Sequence, residues 1–244
     1  MANVDPAEGA LPARLERVRA QIAAAAQKCD RPAHEVKLIA ISKTHPANVV
    51  KQLVELGATD IGENRVQEAE DKINEVGRER ARWHLVGHLQ ANKAKRAVNL
   101  FDVIHSLDSI DLARRLDRLC AEEGRRNLPI LIQVDLGHEE TKSGSEETAL
   151  APLVEGLGQL SRLELIGLMT LPPFFENPEH SRAFFRRLRE LRDELGVRGA
   201  FGDRKGELSM GMTHDFEVAI EEGATMVRIG TAIFGERKKF TPRI

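Results

Sequence analysis

Short apolar segments alternate with amphipathic ones along almost the whole chain. The first clear apolar segment, Val36–Ser42, is short and rich in β-branched residues, as expected of a strand. Seven further segments have the same character: Thr59–Gly62, Arg82–Leu89, Val103–Leu107, Pro129–Leu136, Leu163–Leu171, Glu207–Met212 and Met226–Phe234. Several are apolar nearly throughout, which is typical of strands buried on both faces of a parallel sheet. The alternation therefore predicts an α/β fold.

Amphipathic segments of helical periodicity occupy the intervals between these strands. The expected helices, one of them before the first strand, are Leu11–Lys28, Pro46–Leu56, Ser109–Glu123, Glu146–Leu157, Pro178–Leu195 and Asp215–Glu222. We expect Ser109, together with Asp108, and Ser145 to cap two of them, because a serine oxygen accepts hydrogen bonds from the first helical turn.

Eight strands in 244 residues, with no linker-like break, predict a single-domain (β/α)8 TIM barrel with an extra N-terminal helix. This domain would span residues 1–244, with residues 1–10 as a flexible N-terminal extension. A doubly wound open sheet is the alternative, because strand counting does not show whether the sheet closes.

The charge and cysteine content limit the partners and the compartment. A formal net charge of -2 provides no global field for binding nucleic acid or an anionic membrane. Cys29 and Cys120 are far apart, which predicts neither a disulfide framework nor a zinc site and fits a reducing cytoplasm. No apolar run reaches the roughly 18 residues of a membrane span, and Met1–Pro12 lacks the features of a signal peptide. We therefore expect a cytoplasmic protein without nucleic-acid or membrane partners.

Lys43 follows the first strand, at the end where barrels collect their functional residues. Because side chains alternate along a strand, Ile39, Ile41 and Lys43 share one face. If that face lines the barrel, partial desolvation would favour the uncharged amine. A free amine is what Schiff-base chemistry with a carbonyl requires. An ordinary surface lysine at a strand end is the alternative.

Arg228 interrupts the otherwise apolar last strand. A buried guanidinium needs an acceptor. Gly230 and Thr231 follow it and offer close backbone approach and a hydroxyl, and the seventh strand ends in Ser209–Met212. The region around strands 7 and 8 is a frequent phosphate site in barrels. A charge pair for Arg228 and plain turns at the glycines are the alternative.

Together these groups describe one ligand. An amine suits an aldehyde, a cluster of hydroxyl and glycine residues suits a phosphate, and an arginine suits a ring nitrogen. Pyridoxal 5′-phosphate carries all three partners, so we expect it as the cofactor, with no metal site.

Six motifs, each weak alone, occur in a specific order: Ala40–Thr44, Ile61–Glu68, Trp83–Lys93, Lys142–Gly144, Leu208–Met212 and Val227–Gly235. With them the chain resembles the pyridoxal-phosphate homeostasis protein family, single-domain relatives of the alanine racemase barrel, from about Leu38 to Glu236. Two departures are small: Thr213 stands where such proteins often carry serine, and His88 occupies a variable place.

The resemblance implies a barrel that holds the cofactor as an internal aldimine on Lys43. It also implies that Arg228 faces the pyridine nitrogen, and that Ser209, Gly230 and Thr231 hold the phosphate. The full expected cofactor-binding set is Lys43, Asn64, His84, Ser209, Gly211, Met212, Arg228, Gly230 and Thr231.

Several assignments keep a structural alternative. Asn64 is suited both to a cofactor contact and to an N-terminal helix cap, and His84 is either near the ring or a satisfied core histidine. Gln90, Asn92, Lys93 and the loop Lys142–Gly144 are ligand contacts or ordinary cap and loop residues. The arginines of Pro178–Leu195 alternate with acidic residues, which predicts a solvated helix face and not a nucleic-acid patch.

The chain contains no tyrosine, which bears on the choice between enzyme and carrier. In the racemase relatives a lysine serves one side of the substrate α-carbon, and a tyrosine from the partner subunit's second domain serves the other. This chain ends at Ile244, soon after the predicted barrel. We therefore expect a monomeric protein that stores, buffers or delivers pyridoxal phosphate, with pyridoxal-phosphate-dependent apoenzymes as recipients. An amino-acid racemase, another weak enzyme using this cofactor, and a cofactor-free Schiff-base aldolase are the alternatives.

Overall fold

Eight parallel strands form a closed barrel in the computed structural model, which describes residues 6–137 and 143–235. The strands are β1 (Lys37–Ile41), β2 (Asp60–Glu63), β3 (Arg82–Leu85), β4 (Val103–Leu107), β5 (Leu128–Val134), β6 (Leu163–Thr170), β7 (Glu207–Met212) and β8 (Met226–Ile229). β1 pairs in parallel with both β2 and β8, which closes the sheet. The predicted (β/α)8 barrel is confirmed, and the open-sheet alternative is wrong.

Helices alternate with the strands around the outside. They are α1 (Pro6–Gln27), α2 (Ala47–Glu55), α3 (Val66–Val76), α4 (Ala94–Leu100), α5 (Ile110–Glu122), α6 (Leu150–Leu157), α7 (Arg182–Val197), α8 (Phe216–Glu221) and α9 (Thr231–Phe234). The extra N-terminal helix α1 packs against α8 and α9. It begins at Pro6, inside the extension expected over residues 1–10, and residues 1–5 of that extension lie outside the described residues.

The two predicted serine caps have different outcomes. Ser109 caps α5, because its side chain accepts the backbone N–H of Leu112. The predicted cap at Ser145 is wrong. Its backbone pairs with the end of β5 in a bridge to Val134, so it continues the extended structure, and a short 3-10 turn over Glu147–Ala149 precedes α6.

The largest differences from the predicted strand bounds are the early ends of β3 and β8. β3 ends at Leu85, and the segment up to Leu89 is a loop. β8 ends at Ile229, because the backbone turns at Gly230 into α9. Both ends lie at the carboxyl edge of the barrel.

Apolar side chains form two clusters on opposite faces of the strands. The larger cluster lies between the strands and the helices. The smaller one fills part of the barrel interior: Ile39, Ile41, Val86, Val103, Leu131, Ile166, Met169 and Met226. Ile39 and Ile41 thus occupy the inner face assigned to them from the sequence. Among the helices of residues 6–137 and 143–235, none combines the length and hydropathy needed to cross a bilayer.

Candidate functional site

The carboxyl ends of β1 and β8 meet at the seam where the barrel closes. Ile39 lies opposite Arg228 and Ala40 opposite Ile229. A Cβ atom placed on Gly230 would stand 3.2 Å from the carbonyl oxygen of Ile41. The turn after β1 and the turn after β8, which sequence analysis assigned to one ligand, are therefore neighbours.

Lys43 sits half-buried in the turn after β1, and both of its neighbours are anchored. On one side, the Ser42 hydroxyl donates to Glu63 and the Ser42 carbonyl accepts from Lys72 Nζ at 2.7 Å. On the other side, Thr44 adopts the left-handed region with φ 68°, and its N–H donates to the Glu68 carboxylate. The turn that carries Lys43 is thus held from two directions.

Glu63, Lys72 and Glu68 form the cluster that anchors this turn. Lys72 Nζ lies 2.6 Å from Glu63 Oε1 and 2.7 Å from Glu68 Oε1. Burial raises the pKa of the Glu63 carboxyl, although the nearby Lys72 opposes the change. Glu63 Oε2 has no hydrogen-bond partner among the residues that the structure describes. This cluster was not predicted from the sequence, although the i,i+4 spacing of Glu68 and Lys72 is a visible signal of a helical ion pair.

Arg228 is only 4% exposed and lies inside the barrel. It donates to Ser209 Oγ at 2.7 Å and to the Thr170 carbonyl at 2.8 Å. Burial lowers the pKa of Arg228 to about 10, with a partial opposing effect of the Asp215 charge. Within the described part of the chain, no ion pair involves Arg228, so the charge-pair alternative does not account for it.

A guanidinium carries five N–H donors, and these two hydrogen bonds use two of them. No other hydrogen bond of Arg228 occurs among residues 6–137 and 143–235. Donors at a buried cation are costly to leave without an acceptor. The arrangement therefore suits a ligand that offers an acceptor atom, such as a ring nitrogen.

Ser209 and His84 are fully buried and already have partners. Ser209 Oγ contacts His105 Nδ1 at 2.9 Å in addition to Arg228. His84 contacts Asp60 Oδ1 at 2.8 Å and His105 Nε2 at 2.9 Å. The geometry of His84 is that of the satisfied core histidine. Direct contact of either residue with a ligand stays a prediction.

Asp60 and His105 are interior residues that sequence analysis did not select. Asp60 follows Thr59 at the start of β2, and His105 precedes Ser106 in β4, so neither is a lone polar residue in an apolar strand as Arg228 is. The sequence therefore carries no comparable signal for these two residues or for their contacts.

The predicted phosphate residues stand around the ends of β7 and β8. Gly211 has φ +90°, and a Cβ there would lie 2.6 Å from that of Ala219, so only glycine fits without a shift. Met212 is partly exposed at the end of β7, where its N–H donates to Asp215 Oδ1 at 2.7 Å. Gly230 precedes α9, and Thr231 begins that helix with an exposed side chain.

Asn64 follows β2 at the same edge and is half-buried. Its predicted role as a helix cap is wrong, because Arg65 occupies the N-cap position of α3 and makes no side-chain cap. The backbone of Asn64 packs so closely against Gly87 that a Cβ atom would not fit there. Asn64 therefore remains a candidate contact at the mouth of the barrel.

The other sequence candidates lie further out. Gln90 precedes a 3-10 turn without capping it, and Lys93 donates to Gln67 Oε1 at 2.9 Å. Asn92 is exposed. The Ser143 carbonyl accepts a hydrogen bond from Gln133 of β5. Lys142 lies outside the described residues.

The arginine-rich helix α7 is mostly a paired surface. Arg182 lies within 3.2 Å of Glu179, Glu221 and Glu222. Arg187 has acidic partners at Glu147, Glu190 and Glu194. These pairings agree with the predicted solvated face. Arg192 is an exception, because it is buried and donates to the Gly206 carbonyl at 2.9 Å.

Comparisons with known proteins agree on one family. The model of the alanine racemase N-terminal domain matches residues 13–238. The pyridoxal phosphate homeostasis protein of Aquifex aeolicus is 45% identical over 227 residues, which cover 92% of this chain and 97% of the relative. The protein of the same name from Escherichia coli K12 is 40% identical over 233 residues, covering 91% and 95%.

A solved structure extends the comparison to three dimensions. PipY of Synechococcus elongatus, solved with pyridoxal phosphate bound, superposes with a TM-score of 0.80 and is 38% identical. The match covers 92% of this chain and 100% of PipY.

Proposed function

The chain belongs to the pyridoxal-phosphate homeostasis protein family, and from this premise we propose how its barrel works. It binds pyridoxal 5′-phosphate on Lys43 and serves the storage, buffering or delivery of this cofactor inside the cell, without substantial amino-acid turnover. The observation that carries the proposal is Arg228, a buried cation of β8 opposite Ile39 of β1, which uses two of its five N–H donors among the described residues.

Each part of the site fits one part of the cofactor. When bound, pyridoxal phosphate supplies a reactive aldehyde and an electron-accepting ring. The Lys43 amine is the covalent attachment point for the aldehyde carbon. Arg228 donates to the ring nitrogen and keeps its own proton, because its pKa of about 10 lies well above neutrality. The nitrogen beside it then stays unprotonated, which weakens the ring as an electron sink.

The phosphate end is assigned to the turn after β8. The Gly230 backbone approaches the phosphate closely, the Thr231 hydroxyl donates to it, and Gly211 and Met212 form the neighbouring wall. Asn64 contacts the cofactor from the rim of β2. Ser209 and His84, which sequence analysis placed among the direct contacts, act through Arg228 because their polar atoms have interior partners.

A racemase needs a second proton acceptor on the opposite side of the substrate α-carbon from the lysine, whereas a carrier does not. The chain has no tyrosine. Burial lowers the pKa of His84, and it lowers that of His105 further, so both rings are neutral near pH 7. Both are also engaged inside the barrel. A cofactor attached reversibly to an amine can pass to another amine. We therefore propose apoenzymes that use pyridoxal phosphate as its recipients. We propose separately that the carrier is a monomer.

The decisive experiment is chemical trapping. Purified protein would be loaded with pyridoxal phosphate, reduced with borohydride and digested for peptide mass mapping. We expect the pyridoxyl adduct on Lys43, its loss in Lys43→Ala, and its retention in Lys51→Ala, which changes an exposed lysine of α2. An adduct on another lysine that persists in Lys43→Ala would contradict the assignment.

A further inference from the structure

A continuous line of hydrogen bonds crosses the interior of the barrel. It connects residues of five strands: Asp60 of β2, His84 of β3, His105 of β4, Ser209 of β7 and Arg228 of β8. Successive polar atoms are 2.8, 2.9, 2.9 and 2.7 Å apart. No member is more than 7% exposed. The line begins at a carboxylate and ends at a guanidinium.

Only one arrangement of hydrogens satisfies every link. Burial opposes ionisation of Asp60, but the hydrogen bonds from His84 and Thr59 leave the pKa of the carboxyl lowered, so Asp60 is an acceptor only. His84 Nε2 must therefore carry the hydrogen. Because burial keeps His84 neutral, its Nδ1 is bare and accepts from His105 Nε2.

The hydrogens on the rest of the line, as far as Arg228, are fixed in the same way. Burial also keeps His105 neutral, so its Nδ1 accepts, and the donor must be the Ser209 hydroxyl. Ser209 oxygen is then left as the acceptor for Arg228. Every donor in the line points toward Asp60, and the opposite tautomers would place a bare histidine nitrogen against a carboxylate.

We propose that Asp60, His84 and His105 are positioning residues that act through Ser209 to fix the Arg228 guanidinium, with Asp60 as the acceptor at which the line ends. The line replaces an adjacent carboxylate, which would occupy the donors that Arg228 turns toward a ligand. The first half of this inference concerns the ligand-free protein. Its second half, the contact of Arg228 with the cofactor ring, rests on the proposed function.

The first test uses nitrogen NMR of ligand-free protein labelled in histidine and arginine. At pH 7 we expect both His84 and His105 to be neutral and protonated on Nε2. We also expect separate, slowly exchanging signals for the two Nη groups of Arg228, because a held guanidinium does not rotate about its Nε–Cζ bond. A charged ring, or a hydrogen on Nδ1 of either histidine, would overturn the inference.

Variants connect the line to Arg228. Asp60→Asn keeps the shape but removes the charge, so we expect mixed tautomers and averaged Arg228 signals. Thr59→Val is the matched control, because Thr59 donates to the other oxygen of the same carboxylate at 2.7 Å and lies outside the line. Averaged Arg228 signals in Thr59→Val but not in Asp60→Asn would contradict the positioning role of Asp60.

Measurements of cofactor binding distinguish a failure of this inference from a failure of the proposed function. We expect Asp60→Asn to lower the affinity for pyridoxal phosphate by about 10-fold. Loss of a hydrogen-bond partner one step behind a metal ligand lowers affinity by about 10- to 100-fold, and we expect an effect at the lower end of that range here. We expect the same substitution also to shift the absorption maximum of the bound cofactor. Should the wild-type tautomers be as assigned while Lys43 is never modified, the proposed function fails and the interior line stands. Should Lys43 be modified while Asp60→Asn leaves the Arg228 signals unchanged, the positioning role fails and the proposed function stands.

Discussion

The ammonium of Lys72 lies 2.6 Å from the carboxylate of Glu63, and their side chains are 5% and 0% exposed. This buried pair sits directly under the turn that carries Lys43, because Lys72 also bonds to the carbonyl of Ser42. Removing one partner of a buried pair leaves the other charge uncompensated. The pair is therefore a sensitive point for both stability and the placement of Lys43.

Lys72→Met is expected to lower the free energy of unfolding by roughly 3–5 kcal/mol, the range for breaking a buried ion pair from one side. Urea denaturation measures this change. The double variant Lys72→Met/Glu63→Leu should recover much of the loss, because no charge is left buried. Lys51→Met, on an exposed face, is the control and should have little effect. A Lys72→Met protein as stable as the wild type would show that the pair contributes nothing.

Thr231→Val is expected to weaken pyridoxal phosphate by about 10- to 100-fold, the equivalent of losing one hydrogen bond to a charged group. Binding of pyridoxal, which lacks the phosphate, should change little. Ser209→Ala should weaken both ligands to a similar extent, because its partners are Arg228 and His105. Fluorescence or absorbance titrations of the two ligands measure the ratio. A phosphate-selective loss in Ser209→Ala would instead place Ser209 at the phosphate.

Stability is expected to fall in mild acid because of His84 and His105. Burial lowers the pKa of both rings in the folded state. As the pH falls below about 6.5, the unfolded chain gains protons that the folded chain does not, so each histidine removes up to about 1.4 kcal/mol per pH unit. Above that pH the two histidines make their full contribution to the free energy of unfolding. Glu63, whose pKa is raised, acts in the opposite sense.

Urea unfolding at pH 7.5 and 5.5 tests this pH dependence. His105→Gln, which removes one of the titrating rings, should reduce the slope. A stability that is flat or rises toward pH 5.5 would mean that the histidines are not held neutral.

Amino-acid turnover is expected to be very slow. The loaded protein would be incubated with single L-amino acids in heavy water. Deuterium uptake at the α-carbon and formation of the D-isomer would be measured over time. A missing general acid–base group typically costs about 10²- to 10⁴-fold in rate. Stereochemical inversion at an ordinary enzymic rate of about 1–10³ s⁻¹ would reveal a second base and contradict the carrier proposal.

The fold was more predictable from the sequence than the connections within the site. Apolar strands and amphipathic helices have local periods, so all eight strands were located, although β3 and β8 end earlier than predicted. Lys43 and Arg228 were located because strand ends and polar interruptions are also local signals. The partners of Arg228 were not predicted, because residues of separate strands meet across the interior only when the barrel closes. Asn64 failed as a cap because the helix begins one residue later than that role requires.

The pairing of β1 with β8 has a consequence for synthesis and breakdown of the protein. The residues assigned to the two ends of the cofactor lie just after the first and the last strand, which pair with each other at this seam. A nascent chain cannot assemble the site before Thr231 has left the ribosome. In the proposed site the cofactor spans this seam, and a ligand present at 100 times its dissociation constant adds about 2.7 kcal/mol to the free energy of unfolding. Loading with the cofactor should therefore also stabilise the closure of the barrel between its first and last strands.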